Sequence, residues 1–202
     1  MARASRAESE RTGARIRATA QAMFAAHGYT AVGLAEVAQR AQVTRGAIYH
    51  HYASKAGLFA AVHEAAQSAV ARQIADAVRG IEDPWESLRV GSRAFLTAAL
   101  SDQVRRILLI DAPAVLGWQA WRDADAANSA RLLGEVLAQV HDDGTLAVEP
   151  DAARAVLSGA MNEVVMWAAT QGGPEHALAA GWAALEAALR GLRHCDPVRT
   201  GP

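Results

Sequence analysis

The chain has 202 residues, enough for one large or two small domains with a real core. It is 51% hydrophobic and 20% charged with a formal net charge of -1, which excludes a disordered polyelectrolyte and leaves overall charge silent about nucleic acid. The single cysteine, Cys195, allows neither an internal disulfide nor a thiolate metal site. No apolar run approaches the ~20 residues that span a bilayer, and the first twenty residues hold no secretory apolar stretch, so a soluble protein of the reducing cytoplasm is expected.

Richness in alanine and poverty in aromatics favour an all-α fold of about nine helices. Ile16, Ala20, Met23, Phe24 and His27 recur at helical spacing, and Gly28 stands where a left-handed C-terminal cap is wanted, which gives a first helix over about 9–27. Gly33 opens a short second helix carrying Leu34, Val37, Ala38 and Ala41. Thr44 caps a third, Arg45 to Tyr52, and Ser54 caps a long fourth over about 55–79. Asp83, Pro84 and Glu86 supply an N-cap, a first-turn proline and a capping-box glutamate for a helix to about Leu100.

A further helix after Asp102 carries Ile107 to Ile110 and is expected to break before Pro113. From Trp118 to His141 the spacing predicts one long helix closed by Asp143-Gly144. Pro150 and Pro174 open the last two helices, about 150–171 and 174–193. Both are apolar on more than one face, so they are expected to pair with a second copy as a four-helix bundle, with Val165 and Leu185 as interface probes. Residues 196–202 are expected to be a disordered tail.

Charge by segment is more telling than the total. Residues 1–55 hold seven arginines and Lys55 against Glu8, Glu10 and Glu36, a net +5, whereas 56–202 carry a net -6. A basic head on an acidic body is the pattern of a phosphate-binding module joined to a body of other purpose. Within the head, Val37, Ala38, Val43, Ile48 and Tyr52 can pack inward, while Arg45, Gly46, Tyr49 and His50 share the opposite face of the third helix. That is a helix-turn-helix, whose second helix enters the major groove. Arg45 can donate twice to a guanine edge, Tyr49 and His50 can reach bases or phosphates, and Gly46 lets the backbone approach. Lys55, at a helix N-terminus, can meet a phosphate together with unpaired N–H groups.

The run FAAHGYTAVGLAEVAQRAQVTRGAIYHHYASKAGLF, Phe24 to Phe59, resembles the DNA-binding domain of the TetR family of transcriptional regulators. The resemblance rests on Gly-Tyr after the first helix, the Ile-Tyr-x-x-Tyr core and the Ser-Lys-x-x-Leu start of the fourth helix. It implies a homodimer whose N-terminal heads, residues 1–55, bind a palindromic operator. The helical body, 56–195, would hold a small effector and the dimer contact, and the protein would act most often as a repressor. Carried over by position, it implies DNA contacts at Leu34, Thr44, Arg45, Gly46, Ala47, Tyr49, His50, His51 and Lys55. Two positions depart from the family pattern: Gly33 stands where threonine or serine usually opens the second helix, and Gln42 where the turn usually has glycine.

The body resembles the family loosely, through RRILLIDAPAVLGWQAW. Trp118, Trp121, Met161, Met166 and Trp167 are the candidate walls of an effector pocket, with Arg105, Asn162 and Glu163 as candidate polar contacts. His50 and His51 have no partner at zinc-site spacing, and no metal or cofactor is expected. An enzyme is disfavoured by the lack of GxSxG, P-loop and GxGxxG patterns, and an effector-free architectural DNA binder by a body larger than dimerisation requires.

Overall fold

A computed structural model describes residues 2–194, with side chains from Arg6 onward; the expected tail, 196–202, lies outside them. In chain order the helices are α1 (Ala2–Ala31), α2 (Leu34–Arg40), α3 (Arg45–Tyr52), α4 (Lys55–Ala77), α5 (Pro84–Leu100), α6 (Asp102–Arg105), a π-helical segment (Arg106–Asp111), α7 (Ala112–Leu116), α8 (Trp118–Ala126), α9 (Ser129–Asp142), α10 (Pro150–Ala169) and α11 (Pro174–Gly191). The fold is all-α, as composition and periodicity predict. The chain forms two compact units. One comprises the residues up to Ala69 with Ser101–Asp125, the other Val70–Leu100 with the chain from Ala126.

In the first unit Ile16, Met23 and Phe24 of α1, Val37 of α2, Ile48 of α3 and Leu58, Phe59 and Val62 of α4 are buried. Each such side chain contributes about 1.5–3 kcal/mol of burial. Phe24 and Tyr29 both pack on Phe59, with ring centroids 5.3 and 5.1 Å apart in edge-on geometry. Helix α1 is interrupted at Gly28, whose φ of 79° and ψ of 162° are open essentially to glycine alone. The expected positive-φ glycine is there, but its extended ψ turns the chain away from the helix axis without a left-handed cap.

Pro113 does not break its helix. The segment before it widens into a π turn, and Asp102–Leu116 runs on as one helical stretch. An α-helical proline clashes with the carbonyl four residues back, and a preceding π turn carries that carbonyl out of the way. The chain breaks instead at Gly117, with φ 84° and ψ 154°.

The second unit packs α5, α9, α10 and α11 around Leu88, Leu96, Leu137, Val140, Leu157, Val165 and Leu185. The single helix expected from Trp118 to His141 is two, α8 and α9, separated at Asn128, where φ is -123° and ψ -105°. The short repeat of alanine and polar residues around Ala126–Asn128 offers no apolar stripe to carry a helix across. Glu86 does not close a capping box. It pairs with Arg89 at 2.6 Å, and Asp83 alone caps α5 by accepting from Trp85 N at 3.0 Å. Val165 and Leu185 are 0% and 3% exposed within the single chain, so they are core residues and not the interface probes that periodicity proposed.

Candidate nucleic-acid interface

Helix α2 starts at Gly33, which has extended geometry and gives no side-chain cap, and Glu36 pairs with Arg40 at 2.8 Å along its outer face. The turn that follows is fixed by its backbone. Gln42 donates to Gln39 O at 3.1 Å and Val43 to Ala38 O at 3.0 Å, with Gln42 itself in the left-handed region at φ 53°. A glycine-preferring conformation is thus filled by a residue with a side chain, as the departure in sequence implies. Thr44 Oγ1 accepts from Ala47 N at 3.1 Å and starts α3.

On α3, Ile48 is fully buried, while Arg45, Gly46, Tyr49 and His50 are exposed, Tyr49 by 47%. Arg45 makes no hydrogen bond or ion pair among the described residues, so its guanidinium is available. Ala47 and His51 are half-buried. His51 faces α1, where a methyl group on Gly13 would lie 3.2 Å from its Nδ1. Beside it Tyr52 donates its hydroxyl to Gly13 O at 2.6 Å, and burial pushes the Tyr52 pKa up. Gly13 is therefore the crossing point of α1 and α3. Nothing in the local pattern marks it, because the contact joins residues 39 apart.

The step into α4 is equally constrained. Ala53 has φ 59°, Ser54 Oγ accepts from Gly57 N at 2.9 Å, and a methyl group on Gly57 would stand 2.1 Å from Tyr52 O. Lys55 sits at the expected helix start but is already engaged. Its Nζ donates to Thr30 O at 3.3 Å and lies 4.4 Å from the centre of the Tyr29 ring. Leu34 is half-buried at the start of α2. The nine residues expected to contact DNA thus occupy the start of α2, α3 with its N-cap Thr44, and the N-terminus of α4, within one unit.

The candidate pocket residues divide between the units. In the first, Trp118 is 65% exposed and Trp121 is buried; their rings are 4.9 Å apart, and Trp121 Nε1 donates to Leu108 O at 2.8 Å. In the second, Met161 is buried, Met166 half-buried and Trp167 42% exposed on α10. Arg105 pairs with Asp102 at 2.6 Å. A shallow cavity of about 250 Å³ in the second unit is lined by other residues, among them Trp85, Arg89, Glu186 and Arg193.

Residues 16–62 match a family model described as bacterial regulatory proteins, tetR family, and residues 85–192 one described as a tetracyclin repressor-like C-terminal domain. The chain is 31% identical over 110 residues to the HTH-type transcriptional regulator AcrR of Shigella flexneri, covering 54% of this chain and 51% of that protein. It is 34% identical over 109 residues to the regulator SrpR of Pseudomonas putida, again covering 54% and 51%. The chain thus spans about half the length of these curated relatives. Along nearly its whole length it is similar to a crystal structure of a TetR-family transcriptional regulator from Pectobacterium atrosepticum. There the identity is 34%, the TM-score 0.77, and the match covers 94% of this chain and 98% of that one.

Proposed function

The chain belongs to the TetR family of transcriptional regulators, and from that premise we propose that it represses transcription by binding a palindromic operator as a homodimer, and that a small molecule held by its helical body releases it. Residues 1–55 are the DNA-binding head, and 56–195 the effector-binding and dimerisation body. The observation that carries the reading is the exposed face of α3, where unpaired Arg45 stands with Gly46, Tyr49 and His50 over a buried Ile48. Arg45 reads a guanine edge; Tyr49 and His50 reach bases or phosphates. Leu34, Thr44 and Ala47 lie against the sugar-phosphate backbone, half-buried His51 packs toward Gly13 of α1 behind that face, and Lys55 binds a phosphate at the N-terminus of α4.

Within the second unit the effector is proposed to contact Met161 and Met166 of α10. Helix α4 is continuous from Lys55 to Ala77, so a tilt imposed on its body end reaches the head. No described helix is long and apolar enough to cross a membrane, in keeping with action on DNA in the cytoplasm. The test is titration of duplex DNA at several salt concentrations. Lys55→Ala weakens binding to all sequences and lowers the salt slope by about one ion, whereas Arg45→Ala also relaxes preference at one base pair, by ~1–3 kcal/mol. An unchanged salt slope for Lys55→Ala refutes the phosphate assignment. An effector-free DNA binder would pass this test, yet no compound would dissociate its operator complex.

A further inference from the structure

Arg106 and Asp111 stand at the two ends of the π-helical segment, and both reach the end of α1. Arg106 Nη1 donates to Ala26 O at 3.0 Å, and Tyr29 N donates to Asp111 Oδ2 at 2.8 Å. Residues five apart in an α-helix point ~140° away from each other, since each step turns the chain ~100°. The wider π turn brings them back to one face. The helix that stops at Gly28 leaves carbonyls without partners at a terminus favouring positive charge, and a guanidinium fits that end. Beyond the break, the Tyr29 N–H finds a carboxylate, a charge-assisted bond stronger than a neutral one.

What this clasp fixes is the turn Gly28–Thr30, and that turn holds Lys55. Tyr29 offers its ring to the ammonium at 4.4 Å, and Thr30 O accepts from it at 3.3 Å. Phe24 and Phe59 grip the Tyr29 ring at 5.8 and 5.1 Å, so with its N–H bound to Asp111 the residue is held at both ring and backbone. We propose that Asp111, supported by Arg106, is a positioning residue for DNA binding: it acts through Tyr29 to keep the Lys55 ammonium at the head of α4, where a phosphate meets it. The inference rests on the reading of Lys55 as a phosphate contact.

A double-mutant cycle tests it, with a random-sequence duplex as probe and several salt concentrations. Asp111→Ala is expected to weaken binding about tenfold and to lower the salt slope by about one ion, as Lys55→Ala does. In the Lys55→Ala background the same substitution is expected to change neither quantity. Asp111→Asn, which keeps an oxygen for the Tyr29 N–H, restores the wild-type slope. Arg106→Ala, run through the same cycle, gives the same non-additivity to a smaller degree and stands in should Asp111→Ala fail to fold. Equal losses in both backgrounds mean that the clasp only stabilises the head, and wild-type binding by Asp111→Ala means that it does nothing for Lys55; either overturns the proposal. If Lys55→Ala itself keeps the full slope, it is the reading of Lys55 that has failed.

Discussion

His63 lies on α4 with 1% of its surface exposed and its Nε2 without a hydrogen-bond partner, and burial pulls its pKa down to about 4. In the unfolded chain an imidazole titrates near pH ~6.5. Between those two values the unfolded state binds more protons than the folded one, so stability climbs with pH across this window. The contribution is complete above pH ~6.5 and is lost as the pH falls toward 4, at most about 3 kcal/mol. His63→Leu removes both the proton site and the orphaned nitrogen. Denaturant midpoints measured from pH 4 to 7 should be flatter for the variant, with stability at pH 7 equal to or above wild type; a slope as steep as wild type places the titrating group elsewhere. Gln42, at φ 53°, is a second residue in an unfavourable state. Gln42→Gly relieves its strain against a gain of chain entropy in the unfolded state, and a net stabilisation of about 0.5–1 kcal/mol is expected in thermal melts.

At the scale of elements, the caps were legible and the long-range joints were not. Thr44, Ser54 and Asp83 bond to amides two or three residues away, so residue type and position announce the helix starts. Of the inward set read from spacing, Val37, Ala38 and Ile48 are buried, while Val43 and Tyr52 are half-buried. The crossing at Gly13 and the clasp on Tyr29 depend on partners 39 and 82 residues away, which no local pattern contains. Gly57 shows the difference in energy as well as in kind. Thr44→Ala removes one capping bond and should cost about 1 kcal/mol. Gly57→Ala drives a methyl group to 2.1 Å from the Tyr52 carbonyl, a backbone atom that cannot swing aside, and should cost about 3 kcal/mol or more. Melting the two variants side by side checks the order; a Gly57→Ala protein as stable as Thr44→Ala would mean that the α3–α4 step is far softer than its geometry implies.

For the whole molecule, we propose that the dimer uses the faces of α10 and α11 that the core leaves uncovered. Val165 and Leu185 are spent inside the chain, but Val156 and Trp167 are 67% and 42% exposed on α10. Eleven residues at ~100° each return to within ~20° of the same direction, so Val156 and Trp167 share one stripe, with Ala160 and Glu163 between them. On α11 the outer positions Ala179, Ala180, Ala183, Ala184, Ala187 and Ala188 are all exposed and small, which permits the close helix approach of a four-helix bundle. Val156→Arg combined with Trp167→Glu should therefore give a monomer in sedimentation whose thermal melt keeps the wild-type cooperativity. Val165→Glu, by contrast, buries a charge in the core and should unfold the body. The operator reports the same change. A dimer engages half-sites ~34–36 Å apart together, whereas the surface variant should bind the palindrome no more tightly than a single half-site. A wild-type chain sedimenting as a monomer at micromolar concentration, or a surface double variant that stays dimeric, would remove α10 and α11 from the interface.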